Sequence, residues 1–124
     1  MTIQNSIQKT FIRVRNEFEG FHCYPGAGDI DSRIKFLESR HRHLFKIESK
    51  ISVTHSDREL EFFLVKWSIQ EFLTASEMNN KSCEMIASDI LEFLKSKYGY
   101  DRYYEITVSE DGESDGIVEY VPHV

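Results

Sequence analysis

His41 and His43 stand two positions apart in a stretch where residue character alternates. On a strand such positions project from one face, so two imidazoles could converge on a metal ion through neutral ring nitrogens. By itself the pair more often marks two surface or hydrogen-bonded histidines than a metal site. His22 adds a third member. It closes a segment whose even positions include Ile12, Val14 and Phe18, while His41 and His43 share the parity of Phe45 and Ile47. All three are therefore expected on sheltered faces of two strands joined by one loop. Three histidines with an open fourth position match a catalytic zinc site rather than a structural one. His55 and His123 have no such partners and are expected at the surface.

The elements that must hold these residues follow from the hydrophobic pattern. Period-two alternation from Thr10 to His22 predicts a half-buried strand, and Cys23 to Asp31, with Pro25-Gly26-Ala27-Gly28, predicts a loop. Alternation from His41 predicts a second strand ending near His55, before the turn signal Ser56-Asp57. A third strand is expected from Glu59 to about Trp67. Ser68 and Glu71 form a capping box, with Trp67 and Phe72 placed as a hydrophobic staple, so a short helix should start at Ile69 and end near Asn79-Asn80. Ser82 should cap a second helix with the apolar stripe Met85, Ile86, Ile90, Phe93 and Leu94, closed by Lys95, Lys97 and Gly99. Tyr103 to Glu110 and Gly116 to Val121 then alternate around Asp111-Gly112-Glu113-Ser114-Asp115, a hairpin with a polar loop. Strands, two helices, then strands make an α+β antiparallel design with the helices on one face.

Composition bounds the function. At 124 residues the chain is expected to be one domain, 1–124, and 40% apolar residues with six Gly and two Pro exclude a disordered polymer. No apolar run is long enough to span a membrane, and Met1-Thr2-Ile3-Gln4-Asn5 does not resemble a signal peptide, so a cytoplasmic protein is expected. The net charge of −6 argues against nucleic-acid binding. It is uneven: residues 1–50 carry nine Lys and Arg against six acids, and residues 51–124 carry six against fifteen. A small anion would therefore be met from the first half, unless the charges serve only solubility. Cys23 and Cys83 lack the CxxC spacing of a thiolate zinc site and are expected to be reduced thiols.

Several segments carry a resemblance. Phe18-Glu19-Gly20-Phe21-His22, Glu38-Ser39-Arg40-His41-Arg42-His43, Lys81-Ser82-Cys83-Glu84-Met85-Ile86-Ala87 and Ile106-Thr107-Val108-Ser109-Glu110 resemble, in order and spacing, the 6-pyruvoyltetrahydropterin and 6-carboxytetrahydropterin synthase family. The resemblance implies a T-fold, a four-stranded antiparallel sheet with two helices on one face. Three subunits would close a twelve-stranded barrel, and two rings would stack as a homo-hexamer with sites between subunits. It also implies a zinc-dependent lyase acting on the pterin 7,8-dihydroneopterin triphosphate, with zinc on His22, His41 and His43 and the pterin anchored by Glu110. Glu110 shares the parity of Ile106 and Val108 and so should face inward, where a carboxylate can take two N–H donors from a pterin edge. As a residue alone it is equally an ordinary hairpin-end acid.

The departures are specific. The family's cysteine position is Leu37 here, and its Asp-His pair becomes Thr74 and Ala75, neither of which relays a proton at neutral pH. The triplet's middle glycine becomes Arg42, expected to point away from the metal. Glu38 has the spacing of a family branch in which Glu-x-x-His-Gly-His replaces the cysteine. It is either the general base or part of the solvated run Glu38-Ser39-Arg40. Two functions follow: a pterin lyase with altered chemistry, or a non-catalytic homologue that binds a pterin or purine-like ligand. A structural shell without ligand is disfavoured by the intact histidines and Glu110.

Overall fold

The computed structural model describes residues 6–123, so the Met1 to Asn5 stretch and the ends of the expected 1–124 domain lie outside the described residues. Strand β1 (Thr10–His22) runs antiparallel to β2 (His41–Val53), followed by helices α1 (Phe62–Ala75) and α2 (Cys83–Tyr98) and the hairpin β3 (Tyr104–Glu110) and β4 (Ser114–Tyr120). The four strands form one antiparallel sheet in the order β1-β2-β3-β4 with the two helices on one face. The expected loop after β1 holds one helical turn, Ala27–Ile30, and a 3-10 segment, Ser32–Glu38.

The alternation is realised as burial. Val14, Asn16, Gly20 and His22 on β1 are buried, as are Phe45, Ile47, Ser49 and Ile51 on β2. The opposite parity stays wet and carries ion pairs such as Arg15–Glu48 and Arg42–Glu19. Tyr104, Ile106 and Val108 extend the buried layer across β3, and Ile86, Ile90 and Leu94 of α2 close it from above. Burial of one such aliphatic side chain stabilises by about 1.5–3 kcal/mol. Met85, expected in that stripe, is instead exposed, while Ala87 and Leu91 are buried.

The expected strand from Glu59 to Trp67 is absent. The segment from Phe62 is the first half of α1, which starts seven residues before Ile69 and ends at Ala75. Its N-cap is Glu61, whose carboxylate accepts the Leu64 N–H at 2.8 Å. Val65, Ile69 and Leu73 recur every four residues and are all buried, which is helical spacing. Ser68 does not cap a helix: it is buried inside one, donating to the Val65 carbonyl and meeting the Tyr98 hydroxyl. Asn16 ties α1 to β1 by donating to the Lys66 carbonyl at 3.0 Å.

Candidate metal centre

Register brings the three histidines together. His22 pairs directly with His41, and His43 lies opposite Gly20. A Cβ on Gly20 would lie 3.1–3.3 Å from side-chain atoms of Met78, Phe18 and Phe45, so a larger residue would make these neighbours give by a few tenths of an ångström. The imidazole centroids are 4.6 Å apart for His22 and His41, 4.8 Å for His41 and His43, and 5.1 Å for His22 and His43. One ring nitrogen from each lies within 4.8 Å of the other two.

Three acceptors outside the cluster face the Nδ1 atoms. His22 Nδ1 lies 2.9 Å from the Lys81 carbonyl, His41 Nδ1 2.8 Å from the Ser39 carbonyl, and His43 Nδ1 2.7 Å from Asp111 Oδ2. Carbonyl and carboxylate oxygens only accept, so Nδ1 donates in each of these contacts, which leaves Nε2 of His41 and His43 with a lone pair. His22 faces an acceptor on both sides, and its Nε2 meets Glu110 across either a proton or a cation. This is the arrangement that orients imidazole metal ligands. His43 Nε2 is buried and has no hydrogen-bond partner. Such an orphaned acceptor is costly unless something binds to it.

Glu110 joins the cluster. The β2–β3 register places it opposite Phe45, and its carboxylate lies 3.2 Å from His22 Nε2 and 3.8 Å from His43 Nε2. A carboxylate facing nitrogen lone pairs is stabilised only by a cation or proton among them. Neutral imidazoles beside a carboxylate are a donor set suited to zinc, so the residues present fit that ion. Asp111 is held below the usual carboxylate range by the His43 ring and then by the Leu44 N–H.

A cavity of about 710 Å³ opens beside the cluster, lined among others by His22, His41, Glu110, Leu37, Cys23 and Cys83. Its far wall is the start of α2, where Ser82 Oγ accepts the Met85 N–H. Burial, and then the Glu110 carboxylate, push the Cys83 thiol up to about 12, so it stays protonated at neutral pH. Cys23 donates to Asn80 Oδ1. The lining includes Lys81, whose ammonium pairs with Asp89.

The remaining expected site residues lie elsewhere. Glu38 is exposed, and its carboxylate accepts the Gly28 N–H at 2.7 Å. Thr74 and Ala75 are exposed near the end of α1. Arg42 points to the wet face and pairs with Glu19 at 2.9 Å, as expected. His55 and His123 are exposed, as expected. Sequence reasoning missed Asp111 and the carbonyls of Ser39 and Lys81, which meet the imidazole Nδ1 atoms. For the carbonyls no side-chain signal exists.

No protein-family model matches the chain, and no curated protein matches it in sequence. Solved structures do match. The 6-pyruvoyl tetrahydropterin synthase of Plasmodium falciparum superposes with a TM-score of 0.64 at 17% identity, covering 91% of this chain and 98% of that one. The Caenorhabditis elegans 6-pyruvoyl tetrahydropterin synthase gives 0.63 at 15%, covering 94% and 98%. The archaeosine synthase QueF-Like in its apo form gives 0.51 at 16%, covering 90% and 96%. The expected resemblance is borne out at the level of architecture: this chain has the T-fold of the 6-pyruvoyl tetrahydropterin synthases.

Proposed function

We propose that this protein is a zinc-binding, pterin-handling enzyme of the tetrahydropterin synthase type, acting on 7,8-dihydroneopterin triphosphate or a close relative. The observation that carries the reading is the inward presentation of the Nε2 atoms of His22, His41 and His43 beside Glu110 and a ligand-sized cavity. Zinc held by the three histidines would supply Lewis-acid polarisation of a substrate hydroxyl, lowering its pKa. Glu110 would take two N–H donors from the amidine edge of the pterin, a charge-assisted pair that fixes the ring in the cavity. Leu37 supplies an apolar wall where a proton-relaying group is absent. In the lyase reading Glu38 is the general base, three residues before His41. The reading keeps a cytoplasmic location and a homo-hexamer, because the exposed edges of β1 and β4 would be paired between copies in a closed barrel.

A second reading rests on one observation: the Glu38 carboxylate is engaged by Gly28 rather than directed into the cavity. In that reading the protein keeps the metal and the pocket and binds a pterin or purine-like ligand without turnover. One set of measurements separates the two. The zinc-loaded protein is incubated with 7,8-dihydroneopterin triphosphate and the products are resolved by chromatography, with Glu38→Gln and Glu110→Gln in parallel. The lyase reading expects triphosphate release or side-chain cleavage, reduced on the order of 10²–10⁴-fold by Glu38→Gln. Glu110→Gln should weaken neopterin binding by about 2–5 kcal/mol in calorimetry. Binding without product favours the second reading. Neither zinc nor pterin binding sinks both.

A further inference from the structure

The β3–β4 connection is tighter than its polar residues suggest. Asp111 and Gly112 have φ of 55° and 78°, and the Glu113 N–H donates to the Glu110 carbonyl at 3.0 Å, so the turn has two central residues of positive φ. Asp-Gly is the pair such a type I′ turn favours. The Asp111 backbone N–H donates to the Leu44 carbonyl at 2.9 Å, and its Oδ1 accepts the Leu44 N–H at 2.9 Å. Its second oxygen, Oδ2, is thereby left aimed at His43 Nδ1, 2.7 Å away. The turn thus locks one imidazole from outside the cavity, and Asp111 is not among the residues that line it.

We propose that Asp111 is a positioning residue that fixes the Nδ1–H tautomer of His43 and so presents the Nε2 lone pair to the metal. The inference rests on the metal reading above and assigns a part to a residue outside the ligand set. The argument is one of donors and acceptors. Both carboxylate oxygens of Asp111 accept, one from Leu44 and one from His43. An asparagine offers one acceptor and one NH₂. If its oxygen stays on Leu44, the NH₂ faces Nδ1, which must become the acceptor, and the ring proton moves to Nε2, where no metal can bind. If its oxygen turns to His43 instead, two donors oppose each other at Leu44. Asparagine tolerates the left-handed conformation of position 111, so Asp111→Asn keeps the turn while removing the double acceptor.

The experiment uses the full chain, metal-free and then titrated with zinc, as parent, Asp111→Asn and Glu113→Gln. The third protein removes a charge from the same hairpin without touching His43. Zinc affinity is read by competition with a chromogenic chelator, and the His43 tautomer by long-range ¹H–¹⁵N correlation in the metal-free protein. Circular dichroism checks that the fold is kept. We expect an Nδ1–H ring in the parent, and in Asp111→Asn an Nε2–H ring with zinc affinity reduced about 10–100-fold. Glu113→Gln should behave as the parent. Unchanged affinity in Asp111→Asn overturns the proposal. So does lost affinity with the Nδ1–H tautomer intact, which would make Asp111 only a strand clamp, and so does an equal loss in Glu113→Gln. A parent that takes up no zinc sinks the metal reading, while the tautomer comparison still decides whether Asp111 governs His43.

Discussion

Replacing Gly116 by alanine tests whether the cavity wall is built as described. Gly116 is buried on β4 and pairs with Val108, and the first turn of α2 rests directly on it. A Cβ there would lie 2.6 Å from the Glu84 backbone N and 2.9 Å from both the carbonyl carbon and the Cβ of Cys83. Ordinary contact begins at 3.4 Å, so the helix must lift by 3.4 − 2.6 = 0.8 Å. The obstacle is backbone, which cannot rotate aside, and overpacking of that kind costs about 1–3 kcal/mol, here near the upper end. Alanine also narrows the unfolded ensemble, which returns about 0.4–1 kcal/mol. The net expectation is a loss of about 1–2.5 kcal/mol, or about 3–10 °C in Tm for a chain of this length. Differential scanning calorimetry gives the Tm, and amide exchange at Glu84 and Met85 shows whether the loss begins at the helix start. A Tm within about 1 °C of the parent, with unchanged exchange in that turn, would refute the close approach of α2 to β4.

Two further expectations concern α1 and its neighbourhood. On a strand Val65 and Trp67 would share a face, but on α1 Val65 is buried and Trp67 is exposed. Val65→Ala should therefore cost about 1.5–3 kcal/mol and Trp67→Ala less than about 0.5 kcal/mol in urea unfolding, and equal costs would contradict the helix. Glu59 is held down to about 2 by the Thr54 hydroxyl first and the Arg102 guanidinium second, with His55 Nε2 3.7 Å away. Its folded pKa lies below the ordinary value of 4.5, so its contribution is complete above that pH and fades as pH falls toward 2. Glu59→Gln should flatten the decline of stability with acid, and parallel pH profiles for parent and variant would disprove the link.

The parts of the fold legible in sequence are those where one local period decides the answer. β1 and β2 alternate over thirteen residues each, and parity alone placed His22, His41 and His43 on the sheltered face. α2 carries a serine cap, a terminal glycine and basic residues in its last turn, so its ends were readable. α1 was obscured for two physical reasons. Its cap is a glutamate, outside the usual Ser/Thr/Asp/Asn set. Its solvent side carries Phe62, Phe63, Leu64 and Trp67, all more than half exposed, which hides the Val65-Ile69-Leu73 stripe and mimics a β-rich run.

The site shows the same boundary between local and long-range information. Glu38 precedes His41 by three residues, yet it ends a 3-10 segment and its carboxylate takes the Gly28 N–H, an engagement that spacing in sequence does not reveal. Asp111 is far from His43 in sequence but reaches it because the β2–β3 register sets Glu110 opposite Phe45, which brings the next residue of the turn beside Leu44. Parity says which face a side chain occupies; only register says which side chains meet. The three imidazoles follow from parity plus the single pairing of His22 with His41. Of the acceptors at their Nδ1 atoms, the Ser39 carbonyl is local to His41, whereas the Lys81 carbonyl and the Asp111 carboxylate come from far along the chain and are brought in only by the tertiary fold.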